Sequence, residues 1–200
     1  MPPDSTETKR RLMQAARAEF AEHGLAGARV DRIAERADAN KRSIYMHFGT
    51  KEELFDLVVS TSLLELAEAV PFDVTAIPSY AGDLYRTLQG RPDIFRLTSW
   101  AVLERPRPLD TEMDSYRGKV ESIERAQRGG AIASEPDAAT MMSMVLAIVT
   151  SWDHASWSLR AVRPMGLPDD RRAAVETAVA RLVSVDGVAG QNDRSTSRRS

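Results

Sequence analysis

Apolar residues recur along the chain three and four positions apart, the spacing that puts them on one face of an α-helix. No segment of the sequence shows the sustained alternation of apolar and polar positions that a half-buried strand needs. The pattern predicts nine helices, over residues 5–23, 30–37, 41–48, 51–69, 79–89, 92–103, 111–128, 136–159 and 169–185. We therefore predict an all-α fold.

Residues with capping preferences stand at the ends of the predicted amino-terminal helices. Asp4, followed three residues later by Glu7, is suited to cap the first helix, and Gly24 is suited to end it. The remaining signals are Asn40 at the start of the third helix, Gly49 at its end, and Thr50 with Glu53 at the start of the fourth. These signals favour three short helices followed by a longer one.

The composition is that of an ordinary globular protein, with 42% hydrophobic and 28% charged residues. The absence of cysteine excludes disulfides, cysteine-ligated zinc and a thiol nucleophile. The first ten residues contain no apolar export signal, and the apolar stretch 141–149 is far shorter than the ~18 residues of a membrane span. We expect a soluble, cytoplasmic protein.

Charge is unevenly distributed, although the net charge is only −2. Residues 9–51 contain ten basic and five acidic side chains, whereas residues 52–200 contain 17 basic and 22 acidic ones. A basic segment at one end of a mildly acidic chain indicates that this end meets an anion.

The three short helices predict a helix-turn-helix, because the second and third are joined by a tight turn. The small side chain of Ala34 permits a close helix crossing. The expected shared interior consists of Val30, Ile33, Ala37, Ile44 and Phe48. The outward face of the third helix carries Lys41, Arg42, Ser43, Tyr45, Met46 and His47. Long donors at the start of such a helix suit base edges and phosphates, although a solvated surface is the alternative interpretation.

Residues 9–56 resemble the DNA-binding domain of the TetR family of transcriptional regulators. The matching pieces are Ala15-Ala16 with Phe20, Gly24, Val30-x-x-Ile33-Ala34-x-x-Ala37, Ile44-Tyr45-x-His47-Phe48 and Lys51-Glu52-x-Leu54. The resemblance implies that Tyr45 and Lys51 contact the DNA backbone, and that His47 lies at the groove edge. It further implies that Lys41, Arg42 and Ser43 face bases or phosphates.

Three positions depart from the family pattern. Asp38 stands where glycine is usual in the turn, so an acid is expected there in a left-handed conformation. Arg29 replaces the usual Thr or Ser before the second helix, which removes a cap while leaving a guanidinium for a phosphate. Arg42 replaces a common small residue and adds a donor that suits guanine.

Pro71 and Pro78 mark a connection after the fourth helix and indicate a domain boundary there, while the roles of the domains are what the resemblance implies. We predict a helix-turn-helix DNA-binding domain over residues 1–50, a connecting helix over 51–70, a ligand-binding and dimerisation domain over 71–188, and a disordered polar tail over 189–200. The last two long helices are expected to form a homodimer. Candidate ligand-binding residues are Tyr80, Tyr85, Phe95, Trp100, Met113, Tyr116, Met142, Trp152 and His154, for which a plain core role is the alternative.

Signatures of enzyme chemistry are missing from the sequence. The three histidines lack metal-ligand spacing, and no Walker loop, nucleophile elbow or dinucleotide-binding turn occurs. We expect no catalytic residue, metal or cofactor. The predicted function is a ligand-responsive regulator, a repressor that binds a palindromic operator as a dimer and is released by a small molecule. The alternative is a helical binding protein or enzyme with a vestigial DNA-binding head.

Overall fold

The computed structural model describes residues 5–162 and 166–185, and these ranges contain ten α-helices and no strand. The helices are α1 (Ser5–Gly27), α2 (Val30–Arg36), α3 (Lys41–Phe48), α4 (Lys51–Ala69), α5 (Ile77–Gly90), α6 (Pro92–Glu104), α7 (Asp110–Arg128), α8 (Ala138–His154), α9 (Trp157–Val162) and α10 (Pro168–Val183). A 3₁₀ turn over Val74–Ala76 precedes α5. The all-α prediction is confirmed. The predicted cap Asp4 and the predicted tail 189–200 lie outside the described residues.

The capping predictions for α3 and α4 are confirmed. The Asn40 side chain accepts a hydrogen bond from the Arg42 backbone N–H at 2.8 Å. The Thr50 backbone N–H donates to Glu53 at 2.7 Å, and the Glu53 N–H donates to the Thr50 hydroxyl at 3.1 Å. These bonds satisfy N–H groups that the first turn of a helix leaves unpaired.

The prediction of one helix over residues 136–159 is wrong, because α8 ends at His154 and α9 begins at Trp157. Arg160 of α9 donates to the backbone carbonyls of Trp152 and Asp153, the latter at 3.0 Å. Carbonyls in the last turn of a helix have no partner within it, so this side chain stabilises the end of α8.

The described chain forms two compact units. The first comprises residues 5–69 and 88–114, and the second comprises residues 70–87 together with the described residues from 115 onward. In the first unit, Phe20 of α1 and Phe55 of α4 pack edge to face with ring centroids 5.1 Å apart. Leu97 of α6 is fully buried in the same apolar cluster. The amino-terminal helices therefore share their core with α6.

The carboxyl-terminal end of α6 packs against the end of α1 and is hydrogen-bonded to it. Gly24 breaks the helical path there with φ +68° and ψ −176°, and a Cβ at this position would lie 2.8 Å from the Trp100 ring. The Glu104 carboxylate accepts hydrogen bonds from the backbone N–H groups of Leu25 and Ala26. Only glycine combines this conformation with so close an approach.

Asp56 of α4 is held by two arginines that follow α6. The Asp56 carboxylate accepts hydrogen bonds from Arg105, one of them at 3.0 Å, and a further one from Arg107. Burial alone would raise the pKa of Asp56, but the hydrogen bonds from the two guanidinium groups outweigh it and hold that pKa below its usual value. This cluster ties α4 to the segment between α6 and α7.

An Asp56→Asn substitution is expected to lower the free energy of unfolding by about 1–3 kcal/mol near pH 7, because charge-assisted hydrogen bonds are lost. A lowered folded-state pKa gives stability that is complete above the unfolded pKa of about 4 and is lost as pH falls through the folded value. The difference between variant and wild type should therefore shrink from pH 7 to pH 3 in urea titrations. Glu35→Gln, which removes an exposed carboxylate of α2, is the control. A difference independent of pH would contradict the assignment.

The second unit has a core built from α5, α7, α8 and α10. Its fully buried side chains include Tyr85, Ile123, Met141, Val145 and Val179. Gly82 lies against Glu176, where a Cβ would overlap the carboxylate. Arg172 of α10 donates to Asp83 of α5 at 3.3 Å. Among the described residues, no helix combines the length and the apolar content that spanning a membrane requires.

The turn between α2 and α3 contains the expected left-handed aspartate, since Asp38 has φ +47°. Its side chain is almost fully exposed and lies 3.6 Å from Arg11. Asp38→Gly is expected to raise the free energy of unfolding by about 0.5–1 kcal/mol, because relief of left-handed strain exceeds the entropy cost of glycine. Asp38→Ala should destabilise instead, since alanine keeps the Cβ and loses the polar side chain. Equal denaturation midpoints for the two variants would contradict this account.

Candidate nucleic-acid interface

The α2 and α3 helices pack through the interior that the sequence predicted. Ile33 and Ile44 are fully buried, Ala34 is 5% exposed, and Phe48 is 8% exposed. One side of α3 is thereby fixed in the core, and the opposite side faces outward. The geometry is that of a helix-turn-helix whose second helix is presented on a rigid support.

Polar side chains occupy the outward face of α3. Lys41, Arg42 and Tyr45 are exposed, while Ser43 and His47 are half-buried. The Tyr45 side chain is 49% exposed although its neighbour Ile44 is fully buried, so the tyrosine is not a core residue of this unit. Within the described part of α3 the outward face carries no acidic side chain. It therefore presents hydrogen-bond donors and positive charge at its amino-terminal end.

Lys41 forms an ion pair with Asp31 of α2, with 2.8 Å between Nζ and the carboxylate. The hydrogen bond raises the pKa of Lys41 and lowers the pKa of Asp31, so both groups are charged at neutral pH. Both side chains are roughly half exposed, and exposed pairs contribute little because water screens them. The ammonium group can exchange this partner for a phosphate at small cost.

Lys51 lies against the start of α2 rather than standing free. Its Nζ donates to the Ala28 backbone carbonyl at 3.3 Å, which brings it beside exposed Arg29. Arg29 is the N-cap residue of α2, and its side chain makes no capping bond, as the sequence predicted. Two cations thus flank the amino-terminal end of α2, where backbone N–H groups favour an anion.

A buried carboxylate supports this end of α2, and sequence analysis had missed it. Glu19 of α1 is fully buried. Its Oε1 accepts a hydrogen bond from the Arg29 backbone N–H at 2.9 Å and another from Arg32 Nε at 2.7 Å. Burial alone would raise the pKa of Glu19, but the bonds from Arg32 and Arg29 outweigh it and lower that pKa. Glu19 therefore satisfies the backbone N–H of the N-cap residue Arg29 itself, whereas a Ser or Thr hydroxyl there would accept from an N–H further into α2.

Lys9 is a further cation that the sequence pattern did not single out. Its ammonium lies 5.7 Å from the centroid of the Phe48 ring, a cation–π contact at the end of α3. The His47 ring packs edge-on against Phe48 at 6.0 Å. The only sequence signal for Lys9 was its place within the basic segment. It widens the cationic surface around α3.

The nine candidate ligand-binding residues are divided between the two units. Tyr80, Tyr85, Tyr116, Met142, Trp152 and His154 belong to the second unit, whereas Phe95, Trp100 and Met113 belong to the first. Tyr80, Tyr85 and Met142 are buried, and burial raises the pKa of Tyr80 to about 12. The Tyr85 hydroxyl is buried and has no hydrogen-bond partner among the described residues. A ligand role for these residues stays a prediction.

Comparison with known proteins gives family matches over two separate segments of the chain. Residues 12–58 match the model for bacterial regulatory proteins of the tetR family, and residues 76–181 match the model for the tetracyclin repressor-like C-terminal domain. Together the two models account for most of the described chain.

Two similar proteins match over most of this chain, and another matches over about a third of it. The HTH-type transcriptional repressor SCO4008 of Streptomyces coelicolor is 36% identical over 160 residues, covering 78% of this chain and 80% of that protein. The HTH-type transcriptional repressor AcnR of Corynebacterium glutamicum is 37% identical over 65 residues, covering 32% of this chain and 35% of that protein. The crystal structure of SCO4942 from Streptomyces coelicolor aligns with a TM-score of 0.78 at 34% identity, covering 88% of this chain and 98% of that one.

Proposed function

The chain belongs to the TetR family of bacterial regulatory proteins, and from that membership we propose that it is a ligand-responsive repressor that binds a palindromic operator as a dimer. The single observation that carries the DNA-binding role is the two-sided nature of α3. Ile44 and Phe48 anchor one side in the core, while Lys41, Arg42 and Tyr45 stand exposed on the other. The curated relatives are named as transcriptional repressors, and the protein is a regulator rather than an enzyme.

We assign a DNA-contact role to each residue from its position on or near the outward face of α3. Arg42 is the residue we assign to base reading, since a guanidinium pairs with two acceptors on guanine. Tyr45, Lys51 and Arg29 are assigned to the DNA backbone. The list of proposed contacts is completed by Lys41, Ser43 and His47. The alternative of a vestigial head is not favoured, because decay would let acids accumulate on this face.

Dimerisation is proposed through α8 and α10, within the predicted ligand-binding and dimerisation domain. These helices pack on each other, and Val145 and Val179 are among their buried side chains, while Met144 stays 44% exposed. On α10, Ala174 and Ala178 are also exposed, and such small residues permit close approach of a second helix. A dimer would carry two copies of α3 to half-sites about 34 Å apart. Because a regulator of this kind acts on DNA inside the cell, we propose that the protein works in the cytoplasm.

Release by an effector completes the proposal. A small molecule that favours a spacing of the two heads unsuited to the operator needs a coupling of about 1–3 kcal/mol to change affinity about 5–150-fold. The nine aromatic, methionine and histidine candidates of the sequence analysis are the first residues to test for contact with it.

The test is fluorescence anisotropy with DNA from upstream of the gene, at about 150 mM salt, with a scrambled duplex as competitor. Specific binding at least ~10³-fold tighter than binding to the scramble is expected. A Tyr45→Ala, Lys51→Ala variant should bind more weakly to every sequence, with a salt dependence reduced by about one counterion for the lost lysine. Equal binding to both duplexes would overturn the specific-repressor proposal, and full affinity of the variant would overturn the backbone contacts.

A further inference from the structure

The first unit contains a cavity of about 330 Å³ that no sequence pattern indicated. It is lined by α4, by α6, by the segment that joins α6 to α7, and by Glu112 of α7. The volume falls in the range of sites that hold small organic ligands. None of the nine candidate ligand-binding residues lines it.

Most of the cavity wall is apolar. It includes Val59 and Leu63 of α4, Ala101 and Val102 of α6, and Leu109 of the following segment. Val59 is 1% exposed and belongs to the core cluster, so this part of the wall is fixed. Transfer of a small hydrocarbon group from water to this apolar surface would be favourable in free energy.

The polar part of the wall is the Asp56 cluster with its two arginines. Asp56 has only two oxygens, whereas the guanidinium groups of Arg105 and Arg107 together offer far more donors than one carboxylate accepts. Arg107 is also 56% exposed, which leaves it accessible. Glu112 is the other acid of the wall and takes part in an interaction of its own. A second carboxylate from a ligand would therefore find donors at this end.

We propose that this cavity binds a small organic acid, whose apolar body lies along Val59, Leu63 and Ala101 and whose carboxylate meets Arg107 and Arg105. Guanidinium groups pair with carboxylates through two parallel hydrogen bonds, which gives the site its preference for acids over neutral molecules of the same shape. As a binding site this assignment is independent of DNA. As an effector site it rests on the proposed repressor function.

The position of Arg105 gives the site a physical route to the DNA-binding helices. Arg105 directly follows Glu104, whose carboxylate holds the Leu25 and Ala26 backbone at the end of α1. A ligand carboxylate that draws Arg105 away from Asp56 would shift the backbone at the end of α6. That backbone also carries Glu104, whose hydrogen bonds hold the end of α1. The acid thereby acts on the segment that leads into α2.

Isothermal titration of the full chain with hexanoate, octanoate and 4-phenylbutyrate tests the site, with 4-phenylbutan-1-ol as the neutral counterpart. At least one acid should bind with one site per chain, and 4-phenylbutan-1-ol should bind at least tenfold more weakly than 4-phenylbutyrate. Arg107→Gln should weaken acid binding at least tenfold, while Arg96→Gln, at an exposed arginine of α6 outside the cavity, should not. Ala101→Leu, which fills the cavity, should weaken both probes. Circular dichroism checks that each variant is folded.

Failure of all three acids to bind, or unchanged affinity in Arg107→Gln and Ala101→Leu, would overturn the cavity assignment. The DNA measurement is separate, because titration needs no operator. Acid binding without specific DNA binding would overturn the repressor proposal and would still support the binding site for acids. Operator binding that the bound acid does not weaken would overturn its role as an effector site.

Discussion

An Arg42→Ala, Tyr45→Ala variant is expected to lose about thirtyfold to a thousandfold in operator affinity while unfolding at the wild-type midpoint. A guanidinium that reads guanine contributes about 1–3 kcal/mol, and a phosphate contact from the tyrosine hydroxyl adds about 1 kcal/mol. Both side chains are exposed on α3, so their removal opens no hole in the core. Anisotropy titrations and thermal unfolding measure the two quantities separately.

Met46→Ala is the matched control, because Met46 belongs to the same helix and is 71% exposed. Its operator affinity should remain within about twofold of wild type. Ile44→Ala, in contrast, should unfold the head, since Ile44 is fully buried. Wild-type affinity in the Arg42→Ala, Tyr45→Ala variant would show that α3 does not read DNA through this face.

Glu19→Ala is expected to lower the free energy of unfolding by about 2–3 kcal/mol. Truncation leaves the Arg29 backbone N–H and the Arg32 guanidinium without their shared acceptor, and buried groups that lose a charged partner are costly. The partial exposure of Arg32, at 38%, keeps the loss below that of a fully buried pair. Urea denaturation at pH 7 measures the change.

Glu19→Gln separates charge from shape, because the amide keeps one acceptor oxygen and loses the negative charge. The free energy of unfolding of Glu19→Gln should lie between those of the wild type and Glu19→Ala. Glu22→Ala removes an acid from the same helix at a site 57% exposed, and it should be nearly neutral. A Glu19→Ala protein as stable as Glu22→Ala would mean that the buried carboxylate does not support α2.

Local interactions made the head predictable from the sequence. The capping hydrogen bonds of Asn40, Thr50 and Glu53 join residues two or three positions apart, so these caps could be recognised without knowing the fold. The left-handed conformation of Asp38 was expected on another ground, because the family that this segment resembles usually has glycine at that position of the turn. The outward set on α3 followed from helical period alone, because burying Ile44 and Phe48 leaves one face exposed.

Long-range interactions could not be predicted in this way. Glu19 appeared as one acid among several in a basic segment, and only the fold shows that it lies buried beneath Arg29. The end of α8 depends on Arg160, which returns from the next helix to cap it, whereas the apolar pattern continues past His154. The cavity beside Asp56 joins residues about fifty positions apart. Such pairings depend on tertiary packing, which periodicity does not encode.

The sharing of one core between the amino-terminal helices and α6 bears on how this protein could be re-engineered. A head cut after residue 69 would lose Leu97 from its interior, the Trp100 ring against Gly24, and the carboxylate that Glu104 lends to the end of α1. Such a fragment is not expected to fold on its own or to be transferable to another protein. A chimaera that moves this DNA specificity onto another sensor must carry residues 88–114 along with the head, and the seam belongs beyond α6.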